Sequence, residues 1–469
     1  MTRRSRSIIF GILFVSFLVI APLTVFYSLG WRFDWETKKI VQTGIFYFKT
    51  WPRGSQIYID GELKNKTDIF FGSALIDNLM PKMYKVIIQK ENYHPWEKTL
   101  EIKKREVAEA YNIVLVPKNP NFNVSAENVE EFFLSPDNNK IIVKEENPPA
   151  GGNKWSLKLY ELENDVKSHI VNEIDFSTKG VELFDLQFSD NSKRILLQLG
   201  LKEDIKYYSL EIDKSPIIIN NLDFLDSPEK IYFHPKNDQK LFISQIIEEK
   251  KRIITILSEV NIDKKEISPP IFKNIVTYLI TNDNIYHLNS SGLLLKSDLS
   301  GNRIETLNVI AFPYKQETDY EIITSYSNIF LRENNELYYL DEDAKSFKKL
   351  SDSVKGNKFS PDSKKLVYYN NNELMVLFLE KQYDQPTKEK GEKLFITRFS
   401  ENINDVFWYT DHHLIFDLED KIKVTELDDR DKINIVDLVS FKHNEIFFSN
   451  KKLYLLSEKT LYSSDELTP

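Results

Sequence analysis

The chain has 469 residues and no cysteine, four methionines and only 14 glycines. Without thiols it has no disulfides, no thiolate metal site and no cysteine nucleophile. So few glycines leave little material for phosphate-cradling loops. Neither a Walker loop nor a Rossmann glycine fingerprint occurs, and Gly-x-Ser-x-Gly and His-Glu-x-x-His are also missing. The seven histidines are scattered, at His94, His169, His234, His287, His412, His413 and His443. No cofactor is expected. An excess of positive charge is lacking too: the formal net charge is −9, which argues against a nucleic-acid partner.

What the chain does have, at its start, is one unbroken apolar run. Ile8–Leu29 follows the basic cluster Arg3, Arg4 and Arg6. About 20 apolar residues span a bilayer as a helix, and Lys/Arg favour the cytoplasmic flank. We therefore expect residues 1–7 in the cytoplasm, a transmembrane helix over 8–30 and the bulk of the chain outside the cytoplasm. Pro22 lies inside the run, where a membrane helix tolerates it. Trp31, Phe33 and Trp35 follow as an interfacial aromatic belt in a juxtamembrane linker, 31–42. A cleaved signal peptide is the alternative, since Ser28-Leu29-Gly30 fits a small-x-small site.

Beyond the run, 31 Phe, 23 Tyr and frequent β-branched residues suit pleated, half-buried surfaces. The fold class is mainly β. Between Trp51 and Pro117 short alternating strands are separated by turn residues. Gln56-Ile57-Tyr58-Ile59-Asp60-Gly61 alternates and closes on Asp-Gly, a hairpin signal. Pro52 and Gly54 open the unit, one fixing a backbone angle and one freeing it. With Leu79–Val86 and Glu91-Asn92-Tyr93-His94-Pro95-Trp96, this stretch resembles the PEGA domain, a small β module of bacterial and archaeal surface proteins. The opening tetrad is Pro52-Arg53-Gly54-Ser55 where the family has Pro-Glu-Gly-Ala. The resemblance implies a β domain over 43–118 and no catalysis. Trp51, Tyr93 and Trp96 are read as core packing.

From about residue 121 to 469 one unit recurs: an aromatic strand, a polar turn, then a basic or polar residue and a short apolar strand. Phe133-Leu134-Ser135-Pro136-Asp137 precedes Lys140-Ile141-Ile142-Val143, and Phe359-Ser360-Pro361-Asp362 precedes Lys365-Leu366-Val367-Tyr368. Phe188-Ser189-Asp190 and Phe233-His234-Pro235 open further copies, and weaker ones start near Leu279, Tyr326, Phe407 and Phe447. Most starts lie roughly 40–55 residues apart, close to the length of a four-stranded propeller blade. Proline presets the turn, while Ser and Asp bond back to its backbone. These copies resemble TolB-like and WD40-like β-propellers, with Asn or Ser where the TolB type has Gly. Eight blades are expected, with Asn121–Ser125 adding an outer strand to the last. Seven is the alternative, should the short copy near Tyr326 be an insertion.

Candidate chemistry is thin. His412-His413 is read as a turn between strands rather than a metal pair. Asp341-Glu342-Asp343 and Asp428-Asp429-Arg430-Asp431 lack the glycine of a calcium loop and are read as solvated turns. Two loops, 145–153 and 382–393, are candidates for touching a partner. The residues singled out, Pro52, Gly54, Asp60, Gly61, Pro136, Asp137, Pro361 and Asp362, are structural; no catalytic or metal residue stands out. The leading expectation is a non-enzymatic, membrane-anchored binding or scaffold protein of the cell envelope, with a protein, peptide or glycan partner. An envelope sensor or assembly factor working with a membrane complex comes second. A glycan lyase or hydrolase comes third, since its channel would need inward His, Glu or Arg from several blades.

Overall fold

A computed structural model describes residues 3–35, 37–146, 154–162, 166–177, 180–201, 204–249, 252–316, 318–442 and 445–468. Arg3–Ser28 is the one α-helix among them. Its segment Ile8–Ser28 is long and apolar enough to cross a membrane and is not buried by the rest of the chain. It is a candidate membrane anchor or signal sequence. Trp31–Asp34 and Lys39–Gln42 then pair as an antiparallel hairpin. Arg32 ties this hairpin down, stacking on the Tyr27 ring at 3.4 Å and donating to Asn78 Oδ1.

The rest of the described chain is β structure in two compact units: residues 1–121, 358–442 and 464–469, and residues 122–357 and 443–463. In the first unit, residues 44–114 form two facing sheets. One has the order Ser73–Leu79, Gly44–Trp51, Val107–Val114, the last two strands running parallel. The other is antiparallel, in the order Glu62–Lys66, Gln56–Ile59, Met83–Gln89, Trp96–Glu101. Alternate residues of Gly44–Trp51 are buried, as a strand with one face on a core requires. Phe46, Phe48, Ile57, Ile59, Val86, Ile88 and Trp96 fill the space between the sheets. Asp60 and Gly61 take positive φ, 50° and 84°, the geometry a two-residue hairpin needs. Gly54 also has φ +73°, and Ser55 Oγ donates back to the Pro52 carbonyl at 2.6 Å.

Among the described residues after 121 are eight sheets built mainly of antiparallel meanders, and the fold class is a β-propeller. Their first strands are Val129–Leu134, Glu182–Phe188, Lys230–His234, Ile275–Ile280, Tyr320–Ser325, Gly356–Phe359, Ile403–Thr410 and Glu445–Ser449. The third sheet adds a fifth strand, Phe272–Lys273. The short copy near Tyr326 is a full sheet of four strands, ending with Ser346–Ser351. The eighth sheet joins both ends of the repeat region, because Phe122–Glu127 lies beside Thr460–Ser464. Ser125 Oγ and Ser463 Oγ meet there at 2.9 Å.

The strand-joining turns explain the Ser-Pro-Asp signature. Ser135 Oγ donates to Asp137, which accepts the Asn139 N–H, and Lys140 N donates to Ser135 Oγ at 2.9 Å. Ser360 and Asp362 repeat this set with Lys364 and Lys365. Ser189 does the same with Asn191 as acceptor. The position three residues after each serine takes positive φ: Asn138 57°, Ser192 55° and Ser363 58°. These are the Asn and Ser that stand where the TolB type has glycine.

Within the first unit the small two-sheet domain is docked on the seventh sheet. Lys98, with no exposed side-chain surface, lies 2.9 Å from Glu426 Oε1. It also donates to the carbonyls of Asp428 and Lys432 at 2.5 and 2.6 Å. Trp96 Nε1 and the Asn434 amide complete the shell of Glu426 at 2.7 Å each. Arg430 donates to the Glu109 carbonyl, and Asp431 accepts the Thr99 N–H. The Asp428–Asp431 cluster is thus not a solvated turn. Its carboxylates and carbonyls satisfy donors of the small domain. The 382–393 loop likewise meets its partner inside the chain, Gln385 Oε1 accepting Glu109 N–H and the nearly buried Lys388 binding Asp429. Most of the other candidate loop, 147–153, lies outside the described residues.

Candidate functional site

In the second unit, the first strands of the second to fifth sheets border a cavity of about 750 Å³. Strand alternation builds its wall. On Lys230–His234, Ile231 and Phe233 turn into the core while Lys230 and Tyr232 turn to the cavity. Gln187, Tyr278 and Glu321 come from the neighbouring first strands. Tyr232 and Tyr278 meet edge to face, ring centroids 6.0 Å apart at 86°. Thr277 Oγ1 donates to the Tyr320 carbonyl at 2.8 Å and staples the fourth sheet to the fifth.

The wall is polar and of mixed charge. Arg332 closes on Glu321 at 2.6 Å. Asp190 and Asp319 add carboxylates, Lys230 and Lys355 add ammonium groups, and Asn282, Asn334 and Asn335 add amides. Burial raises the Asp190 carboxyl above its ordinary value, opposed by His234. Burial also raises the Tyr278 hydroxyl, with the Ser244 hydroxyl opposing. The Tyr278 oxygen is buried without a well-formed hydrogen bond. Tyr320, sealed beneath the wall, is pushed up to about 12 by burial, while its hydroxyl donates to Glu333 at 2.8 Å.

Glu321 and Arg332 neutralise each other, and no histidine lines the cavity among the described residues. No group of three or more His, Asp or Glu placed for a metal ion occurs among the described residues. His412 occupies the turn before the strand His413–Leu418, and His413 Nδ1 contacts Thr410 Oγ1 at 2.9 Å. Of the residues singled out by sequence, none lines the cavity. Pro136, Asp137, Pro361 and Asp362 sit in strand-joining turns, and Pro52, Gly54, Asp60 and Gly61 sit in the small domain. The first strands read from sequence as mainly aromatic and apolar. The signal overlooked was their alternate polar positions, such as Asp185 with Gln187 and Lys230 with Tyr232.

Comparison with known proteins identifies the small domain. The family model for the PEGA domain matches residues 43–119. Residues 43–119 are a PEGA domain. No curated protein sequence matches the chain. Among solved structures, Saccharomyces cerevisiae Sqt1 is similar at 6% identity and TM-score 0.45, over 75% of this chain and 100% of that one. The WD40 domain of SCAP from fission yeast is similar at 9% identity and TM-score 0.41, over 74% and 98%. An oligogalacturonate lyase in complex with manganese is similar at 11% identity and TM-score 0.39, over 75% and 94%. The propeller is defined by the chain's own successive, mainly four-stranded sheets. The PEGA domain supplies the strand Trp96–Glu101, which carries both Trp96 and Lys98 to the seventh sheet.

Proposed function

We propose that this chain is a membrane-anchored binding protein of the cell envelope whose propeller cavity holds a protein, peptide or glycan partner. Ile8–Leu29 is its anchor, residues 1–7 lie in the cytoplasm and the PEGA domain and propeller lie outside. The eight meanders count as eight blades. The observation that carries this reading is the 750 Å³ cavity, walled by tyrosines, amides and both signs of charge. Concave sites with a few convergent polar groups are where ligands bind. A second reading is an assembly factor or sensor working with a membrane complex through the N-terminal helix.

Crosslinked pulldown of the full-length protein from membranes tests both, comparing wild type with Tyr232→Leu. The cavity reading expects one envelope partner to be enriched by wild type and lost from the variant. Equal recovery by both would reject the cavity as the binding site. Protease treatment of cells with a permeabilised outer layer should digest the bulk of the chain; protection would reverse the proposed orientation.

A further inference from the structure

Gln187, Lys230 and Tyr232 wall both the main cavity and a recess of about 210 Å³ beside it. We infer that this recess receives a cationic side chain, a lysine ammonium or an arginine guanidinium, from a peptide segment lying in the main cavity. The inference rests on the cavity being a binding site and names what it binds. Two carboxylates, Asp185 and Glu229, and two tyrosines, Tyr207 and Tyr232, face the recess. Asp185 is fixed in place: its Oδ1 accepts the Leu186 N–H at 2.9 Å and its Oδ2 accepts Gln187 Nε2 at 3.1 Å. Glu229 is exposed at the rim.

A cation entering here meets two tyrosines and two carboxylates together. Cation–π attraction and charge-assisted hydrogen bonds then act on one head group. Burial, with nearby carboxylates adding to it, raises both phenols above their ordinary value. An anionic group would be repelled by Asp185 and Glu229. A neutral sugar would leave both charges unmatched. In the main cavity, Asn282, Asn334 and Asn335 offer amides that both donate and accept, matching a peptide backbone. Lys230 works against a cation, as the single Lys or Arg lining the recess among the described residues. Its removal therefore makes a gain-of-binding test.

The probe is a fluorescein-labelled Ser-Gly-Ser-Arg-Gly-Ser peptide, with lysine and citrulline counterparts, titrated into the detergent-solubilised full-length protein by anisotropy. Citrulline keeps the shape of arginine and removes its charge. We expect the arginine or lysine peptide to bind about tenfold more tightly than the citrulline peptide. Asp185→Asn and Glu229→Gln should each shrink that preference about threefold or more, and Lys230→Gln should tighten cationic binding. Equal affinities for arginine and citrulline, or no binding of either cationic peptide, would overturn the inference. If the Tyr232→Leu pulldown still loses its partner in that case, the ligand class alone fails. If the partner is retained, the cavity reading fails with it.

Discussion

Lys98 is a charged side chain with no exposed surface, held by one carboxylate and two carbonyls. Burial pushes the Glu426 carboxyl upward, and the Lys98 ammonium pulls it back down. Breaking such a pair leaves an uncompensated buried charge, so Lys98→Met should cost about 3–5 kcal/mol in chemical denaturation. Lys85 pairs with Glu97 in the same domain, but Lys85 is exposed and Glu97 only half-buried, so Lys85→Met should cost about 1 kcal/mol or less. Two buried histidines set a pH dependence. Burial lowers His287 to about 4, and burial with the neighbouring His412 lowers His413 to about 3. Unfolding lets each imidazole take a proton near its ordinary value of 6.5. Stability is therefore full above that value and is lost as pH falls toward the folded values. The loss is about 2 kcal/mol per imidazole by pH 5. Hydrogen exchange at pH 7 and pH 5 should show each unit loosening, and His413→Gln should lessen the slope in the first unit alone, where the neighbouring His412, lowered to about 4 by burial, keeps part of it.

The serine–aspartate turns look interchangeable in sequence but differ in what they carry. Asp362 binds the ammonium of Lys365, which is 3% exposed, at 2.9 Å. Asp137 holds Ser135 and the Asn139 N–H, with no ion pair of that kind among the described residues. Asp362→Ala should therefore cost about 3 kcal/mol, against about 1 kcal/mol for Asp137→Ala, measured by denaturant midpoints. The turns themselves were legible because Ser, Pro and Asp act on their own backbone, within five residues. The parallel pairing of Gly44–Trp51 with Val107–Val114 was not legible, since nothing local specifies a partner some sixty residues away. The same limit hid Glu426 and Asp428–Asp431. A run of acids reads as solvated until the donors of another segment are brought against it.

For the whole molecule, sequence patterning reached the apolar helix, the PEGA domain and the repeated sheets, because each is marked by period or motif. It did not reach the cavity, whose wall is assembled from short stretches of several separate strands. Tyr232 and Tyr278 lie 46 positions apart in the chain, so only the packing of neighbouring sheets makes them a pair. The PEGA docking also has a mechanical consequence. A pull on the N-terminal helix arrives first at the domain that grips the seventh sheet through Trp96, Lys98 and Thr99. Tension is thus spread over several short bonds loaded in parallel instead of falling on the single peptide thread at residue 121. The grip on the seventh sheet would have to slip before that thread carried the full load.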